Sequence, residues 1–214
     1  RQDRRFQIIS IVFLAIVAFF QTFPFWIKLI DATHSPEFLP EIGKVYIWFA
    51  DFTLVNFKTV IESARLFQAL GVSLLHTVSF TGLSLFVAVL VGYVLAKMQF
   101  KGKAFVSTLL LTTLMIPGEI LLAANYKLTI FFGINDSILG IILPGIVNVF
   151  GIFLVKQYMP NIPDSVLEAA GIDGCGEFKK IIVIVFPMSV PIIMTYVILT
   201  FIGTWNEYLF PMIL

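Results

Sequence analysis

Asn161-Ile162-Pro163-Asp164-Ser165-Val166-Leu167-Glu168-Ala169-Ala170-Gly171-Ile172-Asp173-Gly174 lies between two long apolar runs and has a pattern of its own. Pro163 fits the first position of a helix, where no N–H is needed. Asp164 puts negative charge at the positive end of the helix dipole. At about 100° per residue, Asp164, Ser165 and Glu168 share one side, while Val166, Leu167 and Ala170 share the other. Gly174 suits a sharp turn with positive φ. After nine more residues, Ile184-Val185-Phe186-Pro187 opens the next apolar run. The pattern predicts a short amphipathic helix, a glycine turn and a second short helix. Its polar face is acidic, whereas anionic lipid favours basic faces. Ala169 and Ala170 are small enough for another backbone to approach closely. The segment therefore reads as a dock for another protein.

On both sides of it the chain is apolar. Of 214 residues, 59% are hydrophobic and 13% charged, Phe occurs 23 times, and mean hydropathy is +0.98. A soluble domain is nearer half apolar and about a quarter charged. A globule of this size has too little interior for so much apolar surface. Composition thus excludes a soluble enzyme, a nucleic-acid binder and a disordered chain, and leaves a polytopic integral membrane protein, read as all-α from the runs below. A bilayer core about 30 Å thick needs about 20 apolar residues in a helix. Five stretches qualify: 6–30, 69–98, 104–128, 138–159 and 181–214. Barrel strands would alternate polar and apolar over about 10 residues, but these runs are apolar all round. The first is too long for a cleaved signal and lacks a small-residue cleavage site.

Lys and Arg set the orientation. Arg1, Arg4, Arg5, Lys97, Lys101, Lys103, Lys156, Lys179 and Lys180 fall on one side, nine in 37 residues; Lys28, Lys44, Lys58, Arg65 and Lys127 fall on the other, five in 52. The positive-inside bias puts the N-terminus and the segment 160–180 in the cytoplasm. The outer segment 31–68 is mixed. Pro36, Pro40 and Gly43 break its start, and 60–70 reads as a short helix leading into the second span. Asn135-Asp136-Ser137 matches a glycosylation sequon, but so short a pattern recurs by chance and a loop turn accounts for it.

Motifs for bond chemistry are absent. No G-x-x-x-x-G-K-[ST], H-E-x-x-H or G-x-S-x-G occurs, so no P-loop hydrolysis is expected. Gly171, Gly174 and Gly176 look like half of a nucleotide fingerprint but follow no strand; a helix-ending turn explains them. One cysteine, Cys175, excludes an internal disulfide and a Cys-based metal cluster, and His34 and His76 lie 42 positions apart. The chain is expected to bind no metal or cofactor itself.

The spacing E-A-A, three residues, G, nine residues, I-x-L-P carries a resemblance. Glu168-Ala169-Ala170, Gly174 and Ile184-Val185-Phe186-Pro187 match it, with Phe186 in place of Leu. This resembles the signature loop of the membrane subunits of ABC importers. Asp173-Gly174 and Trp205-Asn206-Glu207-Tyr208-Leu209-Phe210-Pro211 look like the carbohydrate-uptake branch, specifically the maltose-transporter-like second permease subunit. Met115-Ile116-Pro117-Gly118-Glu119 and Phe52-Thr53-Leu54 are similar to weaker stretches of that family. Where members often open span two with Asn-Ser, this chain has Val72-Ser73. The resemblance covers Phe52 to the end. It implies a type I importer transmembrane domain of six spans, five of them present here, and an outer loop and sixth span beyond Leu214. It also implies a second permease subunit, two ATPase subunits that hold ATP and Mg2+, and an extracytoplasmic solute-binding protein. Asp164, Leu167, Glu168, Ala169, Ala170, Ile172, Asp173 and Gly174 would couple to one ATPase. The location implied is the cell membrane.

Glu119, Asn125, Asn148, Trp205, Asn206 and Glu207 are candidates for the translocation path. A carboxylate facing lipid at mid-depth costs about 2.5–3.5 kcal/mol on insertion scales, so such groups should face a cavity or a subunit interface. Trp205-Asn206-Glu207 reads equally as an interfacial anchor, since polar groups are common at span ends. The solute is expected to be a sugar or oligosaccharide, with a glycerol phosphodiester as an alternative. An ion-coupled secondary transporter is the other reading: Pro117-Gly118 and Pro144-Gly145 interrupt spans three and four, and Glu119 is an intramembrane acid.

Overall fold

The computed structural model describes residues 4–37, 44–49, 51–63 and 65–213. Arg1, Pro40, Gly43 and Leu214 lie outside the described residues. All regular structure among the described residues is helical. The chain divides into two compact units, Arg1–Leu70 and Gly71–Leu214.

In the first unit, α1 (Arg4–Ala32) is apolar on every side and carries Pro24 inside it. Phe6, Phe13, Phe20 and Phe25 are all more than 60% exposed, as suits a helix whose surroundings are lipid. Its C-terminal carbonyls have no partners within the helix. α2 (Val55–Ser63) supplies one: Asn56 Nδ2 donates to the carbonyls of Ala32 (3.1 Å) and His34 (2.7 Å). Trp26 Nε1 donates to the Ile47 carbonyl at 3.0 Å. The helix expected over 60–70 is split. α2 stops at Ser63, and Arg65 takes a left-handed φ of 48°, which interrupts an α-helix.

α3 (Leu66–Lys97) runs across the division and forms the spine of the second unit. α4 (Lys103–Thr113) is followed by Pro117 in extended conformation (ψ 133°), a 3-10 turn over Gly118–Leu121, and α5 (Leu122–Phe131). The span expected over 104–128, with its interruption at Pro117-Gly118, is bent there by 93°. Pro117 has no N–H for the helix ladder and disfavours helical backbone at Ile116 before it. α6 (Ile138–Ile142) is capped by Ser137, whose Oγ accepts from Gly140 N at 3.2 Å. That cap gives the sequon-like triplet its structural role. Pro144 lies in a 3-10 turn, and Asn148 restarts the chain as α7 (Val149–Tyr158), a bend of 49°.

α8 (Asp164–Ile172) and α9 (Glu177–Lys180) make up the polar segment. The span expected from 181 does not begin as regular α-helix. Ile181–Val185 is a π turn, α10 (Phe186–Met188) follows, and α11 (Val190–Trp205) starts after Ser189. Pro187 and Pro191 each remove an N–H from the ladder, which favours such a wide turn and break. α12 (Leu209–Ile213) ends the described chain. Among the described residues, three helical stretches are long and apolar enough alone to cross a bilayer, Phe6–Ala32, Leu66–Lys97 and Val190–Ile213, and the two bent pairs raise this to as many as five.

The core of the second unit joins α3, α7, α8 and α11 through Ala88, Val89, Tyr93, Leu95, Ile152, Val155, Leu167, Ile193 and Tyr196. Tyr196 is fully buried and its hydroxyl donates to Ser84 Oγ at 3.0 Å. Hydrogen bonds between membrane helices average about 0.6 kcal/mol. Tyr196→Phe should therefore lower the melting temperature of the purified protein only slightly; a large drop would mean that the bond does more than join two helices.

Candidate functional site

Two regions hold most of the residues singled out above. At the polar segment, Pro163 is the N-cap of α8 (ψ 134°), one position earlier than expected, and Asp164 is the first helical residue. The C-terminus is closed by Gly174 with φ +75°. Cys175 N donates to the Ala170 carbonyl at 2.8 Å and Gly174 N to that of Gly171 at 3.1 Å. This is a Schellman closure, which needs a left-handed residue where Gly174 stands. α8 buries Leu167 and half-buries Ala170, while Asp164, Val166, Glu168, Ala169, Ile172, Asp173 and Gly174 are exposed. Val166, on the same apolar side as Leu167 by periodicity, is 39% exposed. Leu167, at 7% exposure, seats the helix in the core instead of facing outward. Ile172 is 88% exposed, a large apolar side chain at the tip. Glu168 has no hydrogen bond or ion pair among the described residues.

Asp164 is already engaged. Lys97 Nζ, at the end of α3, donates to its Oδ1 at 2.6 Å and to the Ile162 carbonyl at 2.7 Å. On the other flank Tyr93 Oη donates to Glu177 Oε2 at 2.6 Å, and Lys180 Nζ reaches Glu177 Oε1 at 2.7 Å. The Lys180 hydrogen bond, then that of Tyr93, holds the Glu177 carboxyl below its ordinary 4.5. A lowered folded value means that the bridge stabilises above about pH 4.5 and weakens as pH falls through the folded value. A cavity of about 640 Å³ opens here, lined by Tyr93, Lys97, Gln99, Glu168, Glu177 and Lys180 among others.

The second region is a cavity of about 310 Å³ at the breaks in spans three and four. It gathers Glu119 from the 3-10 turn, Asn125 from α5 and Glu207 from the turn between α11 and α12, with His76, Phe80 and Thr204. The other candidates lie elsewhere. Asn148 caps α7, its Oδ1 accepting from Gly151 N at 3.0 Å. Asn206 Nδ2 donates to the Ile202 carbonyl at 2.7 Å, and Trp205 stacks on Phe201 with centroids 6.0 Å apart. These two line a separate pocket with Leu74. Neighbours at a helix end point about 100° apart, so the run Trp205-Asn206-Glu207 is divided between two surfaces. Glu207 Oε1 also accepts from the N–H groups of Leu209 (3.0 Å) and Phe210 (3.3 Å), starting α12.

His76 was considered in the sequence only as a metal ligand. It is 7% exposed, lies beside Phe80, and its Nε2 has no hydrogen-bond partner among the described residues. An ionisable residue inside an apolar run was the available signal. No group of three or more metal-ligating side chains occurs among the described residues.

Residues 88–214 match the family described as the binding-protein-dependent transport system inner membrane component. The arabinooligosaccharides transport system permease protein AraQ of Halalkalibacterium halodurans is 33% identical over 93% of this chain and 72% of its own length. The polygalacturonan/rhamnogalacturonan transport system permease protein YtcP of Bacillus subtilis is 27% identical over 97% of this chain and 72% of its own. Among solved structures, a bacterial ABC transporter involved in import of the acidic polysaccharide alginate superposes with a TM-score of 0.85 and 25% identity, over the whole of this chain and 75% of the other.

Proposed function

Because the chain belongs to the family of inner-membrane permease components of binding-protein-dependent ABC importers, we propose that it forms half of a translocation pathway for a sugar or oligosaccharide, driven by a separate ATPase docked on 160–180. Its fold is the type I importer transmembrane domain, and it is a multi-pass membrane protein rather than an enzyme. The observation that carries the coupling role is α8. A short helix held at its base presents Ala169, an apolar Ile172 and Glu168, which has no partner among the described residues, outward. A nine-residue helix is marginal on its own. This one is anchored through Leu167, which frees its outer face for a partner.

In this reading ATP and Mg2+ sit in two ATPase subunits, and the chain makes and breaks no bonds. ATP binding closes the ATPases, their clefts carry the coupling helices inward, and this subunit with a second permease rocks from inward-facing to outward-facing. A solute-binding protein delivers solute at the outer mouth. The N-terminus and 160–180 lie in the cytoplasm, and the membrane is the inner or plasma membrane. Purifying the tagged permease under mild conditions should bring down an ATPase subunit without crosslinking. A permease that copurifies with no ATPase would refute the coupling.

The cavity at Glu119, Asn125 and Glu207 is the candidate path within this half. Its lining has amide, hydroxyl and carboxylate groups that bond to hydroxyls, aromatic faces from Phe80 and Phe210, and His76 as its one basic side chain among the described residues. That chemistry favours an uncharged polyhydroxy solute over a glycerol phosphodiester. The relatives give no support to ion-coupled secondary transport. Glu207→Gln keeps the oxygen that caps α12 and removes the charge. Uptake at limiting solute should fall about tenfold or more, the scale of a hydrogen bond to a charged group. Asn206→Leu, outside the cavity, should transport nearly normally. Equal uptake by both variants would leave Glu207 as a cap alone.

A further inference from the structure

α8 follows α7 and precedes α11 in the chain, yet its polar supports come from α3. Lys97 grips the entry to α8 through the Ile162 carbonyl and the Asp164 carboxylate. Tyr93 grips the exit through Glu177. Tyr93 and Lys97 are four residues apart, so both stand on one face of α3. Between the two grips Leu167 is buried in the core that also contains Tyr93 and Leu95. Lys180 completes the exit side. It is 9% exposed and lies close under Gly171, where an added Cβ would come within 3.2 Å of its amine. Gly171 thus leaves room for the ammonium that holds Glu177. The side chains doing the gripping are mostly buried: Tyr93 is 2% exposed, and the side chains of Lys97 and Lys180 are each 11% exposed. Their carboxylate partners are more open, Asp164 at 73% and Glu177 at 49% side-chain exposure, so the rigidity comes from the buried donors and from the carbonyl of buried Ile162. Without them, the turns at 159–163 and 173–176 would be the compliant points on either side of α8.

We infer that Tyr93, Lys97, Glu177 and Lys180 are positioning residues that clamp α8 to the cytoplasmic end of α3, so that the two move as one body when the ATPase displaces the coupling helix. The inference rests on the coupling role proposed above and adds the route of the motion. The push on α8 is delivered to α3, the spine of the second unit, instead of being absorbed in the turns.

Cys175 is the chain's one cysteine and sits in the turn between α8 and α9. Met98 follows the last residue of α3, and its N–H still bonds to Val94. Spin labels at Cys175 and at Met98→Cys therefore report the separation between the end of α3 and the turn after α8. The measurement uses the complete transporter in lipid nanodiscs, with the partner subunits free of cysteine, before and after trapping with ATP and orthovanadate. In the otherwise unaltered chain, the label separation should stay constant on trapping to within about 2 Å, the size of ordinary helix shifts at interfaces. In Lys97→Met and in Glu177→Gln it should shift or broaden beyond that on trapping. Lys97→Arg, which can still donate to both oxygens, should behave as the parent. Tyr93→Phe removes a single hydroxyl and serves if a charge variant fails to assemble. A separation that changes on trapping in the unaltered chain would overturn the clamp. So would variants that stay as rigid as the parent. Failure of the ATPase to copurify with the unaltered permease would instead sink the coupling role itself, and it is read in a separate assay.

Discussion

Gly174→Leu should yield a permease that reaches the membrane in normal amount and takes up no solute. An added Cβ at Gly174 meets no heavy atom within 4 Å, so space is not the obstacle. The obstacle is the backbone. At φ +75° an L-residue with a branched side chain is opposed by its own carbonyl, at a cost of about 1–2 kcal/mol. Relief requires rotating out of the left-handed region, which breaks the Cys175 and Gly174 N–H bonds back to α8. The last turn of α8 then frays, and Ile172 and Glu168 leave the positions at which a partner cleft would receive them. The apolar spans are untouched, so insertion survives. Gly174→Asn should retain much of the uptake, because Asn visits the left-handed region with less strain. Membrane-fraction abundance, copurified ATPase and uptake are measured together. Normal uptake in the Leu variant would remove the coupling role from this turn.

The sequence was most legible where local rules dominate. Glycine spacing and the absence of a preceding strand identified the Gly174 turn, because left-handed backbone is a one-residue property. The apolar runs located the membrane segments, because span length is set by bilayer thickness. Bends were half-legible. Pro117 and Pro144 marked the breaks, but the 93° and 49° angles depend on what packs on each side. Periodicity alone could not assign Val166 and Leu167, neighbours of similar polarity, one exposed and one buried. The core assembled from several helices decides which of them faces inward. Glu119, Asn125 and Glu207 could be nominated singly, as polar residues in apolar surroundings. That they share a cavity while Asn148 and Asn206 serve as local hydrogen-bonding groups is a property of the fold. Long-range pairs such as Tyr93 with Glu177, 84 positions apart, carry no signal in a single sequence.

Gly151→Ala should be among the most damaging one-carbon changes in the second unit. Gly151 lies in the first turn of α7, where Asn148 caps its N–H, and the ring of Tyr196 from α11 occupies the place a Cβ would take. The contact would be closer than real Cβ atoms show, so something must move. The ring cannot swing aside, because Tyr196 is fully buried and its hydroxyl is bonded to Ser84 on α3. α7 must then part from α11, or Tyr196 must give up Ser84. Between membrane helices, association depends on close packing and on small residues that permit it, so separation is not offset by any gain from excluding water. Overpacking of this kind costs about 1–3 kcal/mol. Gly92→Ala meets Val155 Cγ1 at 2.9 Å, Val155 Cβ at 3.0 Å and the Ile152 carbonyl at 3.1 Å, and should do less harm only because the Tyr196 ring overlaps the added methyl of Gly151→Ala more deeply. Gly82→Ala, with nothing within 4 Å, should be neutral. Melting of the purified complex, followed by intrinsic fluorescence, should rank the three in that order. The double variant Gly151→Ala with Tyr196→Leu should melt higher than the two single losses added together, since the shorter side chain vacates the space the new methyl needs. Strict additivity would mean that Gly151 and Tyr196 do not touch, and that α7 and α11 are held together by some other contact.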